Sequence, residues 1–208
     1  MKLSVFCGFL LLSCSGPNLI NHYYKKNLAI KTSLDHRNIK LHFGEKPAEL
    51  NIEKYFRSYV IHHFNNRLTG STVELANEIP LKKVAPQDPQ LNDDFYIPDK
   101  KVDADFSIIF SNFTFTERLD STEAINSTWM NPNTMQFQSI NRTKEYQIIL
   151  NVTVPYTIWD NKRSSVLSQG HLKFETQKLY LSTDYMKQRH FEQLTYSMVI
   201  RILESLEK

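Results

Sequence analysis

Ile39, Leu41 and Phe43 alternate with polar residues, the two-residue period of a half-buried strand, and Gly44 and Pro47 follow where that strand should end. The period then changes. Ile52, Tyr55, Phe56, Tyr59, Val60, Phe64 and Leu68 recur at helical spacing, with Asn51 placed as N-cap and Gly70 placed to stop the run. Val73 and Leu75 suggest a short strand, after which residues 76–101 carry Pro80, Pro86, Pro89 and Pro98 and read as a long irregular connection. Val102, Ala104, Phe106, Ile108 and Phe110 alternate again, and the phase then jumps to Phe113 and Phe115, which predicts a bulge near Ser111 or Asn112. A second long strand is predicted from Tyr146 to Ile158, where Pro155 implies an edge position or a local bulge. Val166, Leu172 and Phe174, then Leu179 and Leu181, mark a third, joined to the second by turn residues Asp160, Asn161 and Lys162 as an antiparallel hairpin. Asp184 can cap a final helix with Phe191, Leu194, Met198, Ile202 and Leu206 along one stripe.

Two amphipathic helices and several half-buried strands can cover one another's apolar faces. The pattern therefore predicts a two-layer α+β domain, a mainly antiparallel sheet of about 4–5 strands packed against two amphipathic helices. Residues 15 to about 37 show no sustained period and read as a tether in which basic residues outnumber the single acid Asp35. Anionic lipid head groups can attract such a stretch, but a merely solvated linker is the preferred reading.

The first residues add an address. Lys2 precedes a mostly apolar run from Leu3 to Leu12, far shorter than the ~20 residues that a membrane-spanning helix needs. Leu11, Leu12, Ser13 and Cys14 close that run and resemble the lipobox of bacterial lipoproteins, a Leu three positions before the Cys and a small residue just before it. Leu12 departs from the smaller residues more usual there. The resemblance implies a signal peptide over 1–13, fatty acylation (palmitate or similar) of Cys14, a tether over 14–37 and a single α+β domain over 38–208. It also implies a cell-envelope address. Ser15 in place of Asp is compatible with an outer membrane, the domain facing the periplasm. The order of elements is further similar in style to small envelope-assembly or transport-auxiliary lipoproteins, such as the lipopolysaccharide-assembly lipoprotein, and to lipoproteins of the Bacteroidota, without a diagnostic motif. An ordinary secretory signal is the competing reading, and Asn112, Asn126, Asn141 and Asn151 each open an Asn-x-Thr sequon.

Composition narrows the chemistry. A formal charge of +3 over 208 residues, with no long basic run, argues against nucleic acid as a partner. Cys7 and Cys14 both lie in the signal region, so neither a disulfide nor a catalytic thiol is expected in the mature domain. With five glycines and no GxSxG, Walker or GxGxxG motif, no catalytic residue and no cofactor are expected, and the chain is read as a non-enzyme. His62 and His63 are adjacent on a helix and diverge by about 100°, so no metal site is expected of them. Asp103 and Asp105, on one face of a predicted strand, and the patch from Asp93 and Asp94 read as solvated acids.

The residues 119–142 stand out as a long connection between strands, carrying Trp129, Met130, Met135 and Phe137 among polar residues. Trp and Met favour recognition surfaces, so this loop is the candidate partner-binding site. The sequence thus supports a membrane-anchored, non-enzymatic accessory or structural subunit of an envelope assembly or transport system, its protein partner unnamed. A ligand-binding lipoprotein is the alternative, with a glycan or lipid cleft between the sheet and the Pro-rich connection lined by Phe95, Tyr96 and Trp129.

Overall fold

The computed structural model describes residues 18–27, 32–44, 52–76, 79–111, 114–124, 129–130, 137–138, 143–179 and 184–207, with side chains over 19–27, 32–44, 56–76, 79–111, 151–175 and 192–206. In chain order the elements are β1 (Asn18–Lys26), β2 (Asn38–Phe43), α1 (Ile52–Arg67), β3 (Thr72–Leu75), β4 (Leu81–Val84), β5 (Phe95–Pro98) and β6 (Phe106–Phe110). They continue as β7 (Thr114–Ala124), β8 (Trp129–Met130), β9 (Phe137–Gln138), β10 (Thr143–Asp160), β11 (Ser165–Leu179) and α2 (Asp184–Glu207).

The fold is α+β, but its sheet is mixed, with two parallel pairings beside four antiparallel ones, and it exceeds the expected 4–5 strands. Seven strands join in the order β1-β11-β10-β6-β2-β3, with β7 also on β10, and two further two-stranded sheets pair β4 with β5 and β8 with β9. β2 runs parallel to both β3 and β6. Parallel neighbours need a crossover, and both are supplied by connections whose routes the sequence pattern could not show. α1 carries the chain from β2 to β3, and residues 76–105 carry it from β3 back to β6. Residues 18–26, inside the stretch expected to be a tether, instead form an edge strand in which Tyr23 pairs with His171 and Tyr24 with Gly170. The register of β1 slips between Leu19 and Asn21, which spoils the alternation by which a strand is recognised.

β10 is the strand around which the sheet is assembled. It pairs with β11 on one side and, on the other, first with β7 and then with β6. Phe110 faces Tyr156 while Thr114 faces Thr153, so three residues of the β6–β7 side oppose two of β10, the bulge that the phase jump predicts. Pro155 lies opposite this bulge. Its carbonyl accepts from Ser111 N at 3.0 Å, and a residue's N and O point the same way along a strand, so the missing proline donor faces the bulge and not a regular ladder. Pro155 is therefore accommodated in a central strand and not at an edge.

Both helices cover one face of the sheet. Phe56, Val60 and Phe64 of α1 and Leu194, Met198 and Ile202 of α2 bury against Ile39, Leu41, Ile108, Val154, Tyr156 and Ile158. Most of these are wholly shielded, and full burial of such a side chain contributes roughly 1.5–3 kcal/mol. α1 ends as expected, with Gly70 at φ 65°, a conformation that suits glycine. Glu204 and Glu207 leave the end of α2 without a basic residue, and Lys26 of β1 supplies it by donating from Nζ to the Leu206 carbonyl. Among the described residues, no helix is long and apolar enough to cross a membrane.

Candidate functional site

The second face of the sheet is covered by the Pro-rich connection, and there polar groups are buried among apolar ones. Alternation along β11 sends Ser168 toward α2, where its Oγ meets Ser205 Oγ at 3.3 Å, and sends Gln169 and His171 to the opposite face. The connection contains β4 and β5, not only loop, and packs Leu91, Phe95 and Val102 into the protein with 5% exposure or less. Two hydrogen bonds hold it down: Gln87 N donates to Gln169 Oε1 at 2.7 Å, and His171 Nδ1 meets Asp93 Oδ2 at 2.6 Å. The Gln90 N–H first, and the Tyr23 hydroxyl second, hold the Asp88 carboxyl below the usual carboxylate range.

Cross-strand neighbours extend this polar row. Thr157 pairs with Gln169, and Pro155 with His171. Thr157 Oγ1, Gln169 Nε2 and His171 Nε2 are buried and have no hydrogen-bond partner among the described residues. Further along, His42 of β2 meets Ser107 Oγ at 3.1 Å, and Ser107 in turn bonds Asn161. Desolvation lowers the His42 pKa to about 4, so the ring is neutral at physiological pH. The Asp93 carboxylate, accepting from His171 Nδ1, fixes the orientation of the ring and leaves Nε2 without that partner. No hydroxyl hydrogen-bonds that Nε2, so the described residues assemble an oriented histidine without a nucleophile attached to it.

No protein-family model and no curated protein matches the chain. Similar solved structures include the PelC dodecamer from Paraburkholderia phytofirmans, at 8% identity and TM-score 0.41 over 89% of this chain and 97% of that one. A neuraminyllactose-binding hemagglutinin homolog from Helicobacter pylori is similar at 9% identity and TM-score 0.45, covering 84% of each chain. A minor lipoprotein from Acinetobacter baumannii is similar at 11% identity and TM-score 0.36, over 81% of this chain and 94% of that one. Lipoproteins are thus among the similar structures, but likenesses this distant assign neither family nor function.

The residues singled out in the sequence are dispersed. Cys14 and Met135 lie outside the described residues. Trp129 and Met130 form β8 and Phe137 begins β9, paired as Trp129 with Gln138 and Met130 with Phe137. Much of the 119–142 connection is thus strand, since β7 runs on to Ala124. Phe95, the first residue of β5, is fully buried where it was expected to line a cleft, while Tyr96 is half-buried. Asp103 is exposed, whereas Asp105 accepts from Asn38 N at 3.0 Å and pairs with Lys162 at 2.5 Å, so the two carboxylates sit in different surroundings. His62 bonds Asn66 at 2.9 Å, and His63 stacks on Tyr59 and meets Tyr196 edge to face. Among the described residues, no group of three or more His, Cys, Asp or Glu could hold a metal ion.

His42, Gln169 and His171 were not singled out by sequence reasoning. Their only signal was polarity inside strands. Burial became visible once the connection was found to lie over them.

Proposed function

We propose that the chain is a lipoprotein of the cell envelope, held in a membrane by acylated Cys14 and acting as a non-enzymatic accessory or structural subunit of an assembly or transport system. The outer membrane, with the body facing the periplasm, is the proposed setting. One observation carries the reading: Leu11–Cys14 closes an apolar run, and only Ser15, Gly16 and Pro17 separate that Cys from β1. Two or more acyl chains anchor stably where one anchors marginally, so such a cysteine is sufficient to hold the body at the surface. The buried polar groups of the second face fit the same reading, because their traced partners join layers of the fold. Photo-crosslinking in intact cells, with the probe placed along β7 to β9, should trap the same envelope protein in repeated experiments. Recovery of no reproducible partner from any probe position would contradict the subunit role.

The orphaned atoms beneath the Pro-rich connection favour a second reading, a ligand-binding lipoprotein. Buried donors and acceptors without partners are the groups to which a polar ligand such as a glycan would bond. A glycan panel that raises the melting temperature of the wild type but not of His171→Ala would support it; no shift with any glycan would remove it.

A further inference from the structure

We infer that in the anchored protein, as just proposed, the β7–β10 arm makes a second contact with the bilayer that holds Cys14. Asn18 of β1 pairs with Glu175, Glu175 with Asn151, and Asn151 with Thr116, so one row crosses four strands. β1 and β10 are both antiparallel to β11 and so run the same way. The chain that precedes Asn18 therefore meets the sheet at the end from which β10 arrives.

The arm projects from that same end. From the row at Thr116 and Asn151, the β7–β10 ladder continues to the pair Ala124–Thr143, eight residues further on each strand. At ~3.4 Å per residue this is about 27 Å. Cys14 is four residues from Asn18, a backbone reach of at most about 14 Å. The arm is thus about twice as long as the longest tether available, and it starts from the same row. A body drawn to a membrane by Cys14 brings the far end of the ladder, the pair Ala124–Thr143, to that membrane.

The composition of that segment suits the place. From Ala124 to Asn141 there are 18 residues without Asp, Glu, Lys or Arg, in a chain that is 23% charged. Charge is the chief penalty for entering lipid, and it is absent here. Trp concentrates at the membrane–water interface, and Trp129 and Met130 lie in this stretch, facing Gln138 and Phe137 across a short ladder. The pairing of β8 with β9 also satisfies backbone groups that an open loop would leave bare in lipid. An acyl chain alone is a pivot. A second contact fixes which way the remaining faces of the body point.

Fluorescence of Trp129 tests this in the full-length, natively processed protein, with Trp159→Phe leaving Trp129 as the single tryptophan. Reconstituted in phosphatidylethanolamine–phosphatidylglycerol vesicles, the protein should lose Trp129 emission when the lipid chains are brominated. Should Trp159→Phe fold poorly, the difference in quenching between wild type and Trp129→Phe gives the same reading. Flotation with the vesicles is scored in parallel. Protein that floats with unquenched Trp129 overturns the arm contact and leaves the anchor standing. Protein that fails to float overturns both.

Discussion

His42 is the residue whose chemistry the fold changes most. Burial against Ser107 lowers its pKa from 6.5 to about 4, so between those values the unfolded chain binds a proton that the folded chain refuses. Stability from this group is intact above pH 6.5, falls as the pH drops toward 4, and levels off below. The full loss is no more than about 3.5 kcal/mol, for a pKa lowered from 6.5 to about 4. His42→Gln keeps a group able to bond Ser107 but removes the titration. Urea unfolding at pH 7 and pH 4.5 should show wild type losing more stability than the variant; equal losses would mean that His42 is not buried neutral. At this scale the sequence was opaque. Alternation placed His42 on the face opposite Ile39 and Leu41, but in a two-layer fold that face meets water. Its burial beside Ser107 is a tertiary event that no local pattern encodes.

Among the elements, β1 and the Pro-rich connection are the least anticipated, and both depend on single residues of β11. A Cβ on Gly170 would lie 2.6 Å from the Tyr23 carbonyl and 2.7 Å from Tyr24 Cβ, closer than atoms pack. Gly170→Ala must therefore displace β1, at about 1–3 kcal/mol. Limited proteolysis should then cut within residues 18–27 while α2 and β10 stay protected; unchanged protection of β1 would contradict its docking. Asp93→Ala deprives His171 Nδ1 of its acceptor, a loss of about 1–3 kcal/mol. Amide exchange should accelerate tenfold or so over residues 87–95 and stay unchanged in β10, read by mass spectrometry after deuterium labelling.

The same elements explain what the sequence disclosed. The β10–β11 hairpin, α1, α2 and the β6–β7 bulge were legible because each rests on local signals: alternation, helical spacing, a cap and a phase jump. Asp160 bears the hairpin turn as its composition implied, accepting from Lys162 N and Arg163 N at 2.9 Å. Parallel pairing of β2 with β3 and β6 is non-local, and no periodicity encodes which strand lies beside which. The expected tether failed for a related reason, since β1 carries few core residues and is held by Lys26, His22 and Tyr24 on partners far along the chain.

At the scale of the whole molecule, a helix-covered face, a second face sealed by the Pro-rich connection and a projecting arm make a body with distinct ends. The candidate loop of the sequence analysis became that arm. Its aromatic composition was legible, but the extension of the β7–β10 ladder beyond the end where β1 begins was not, because that follows from register alone. Every functional statement about the body rests on acylation of Cys14. Intact-mass analysis of the natively expressed product tests it most directly. The account predicts a chain that begins at Cys14, heavier than its sequence by a diacylglyceryl group and usually a further fatty acyl group. A chain with a free Cys14 thiol, or one that still carries residues 1–13, would contradict it.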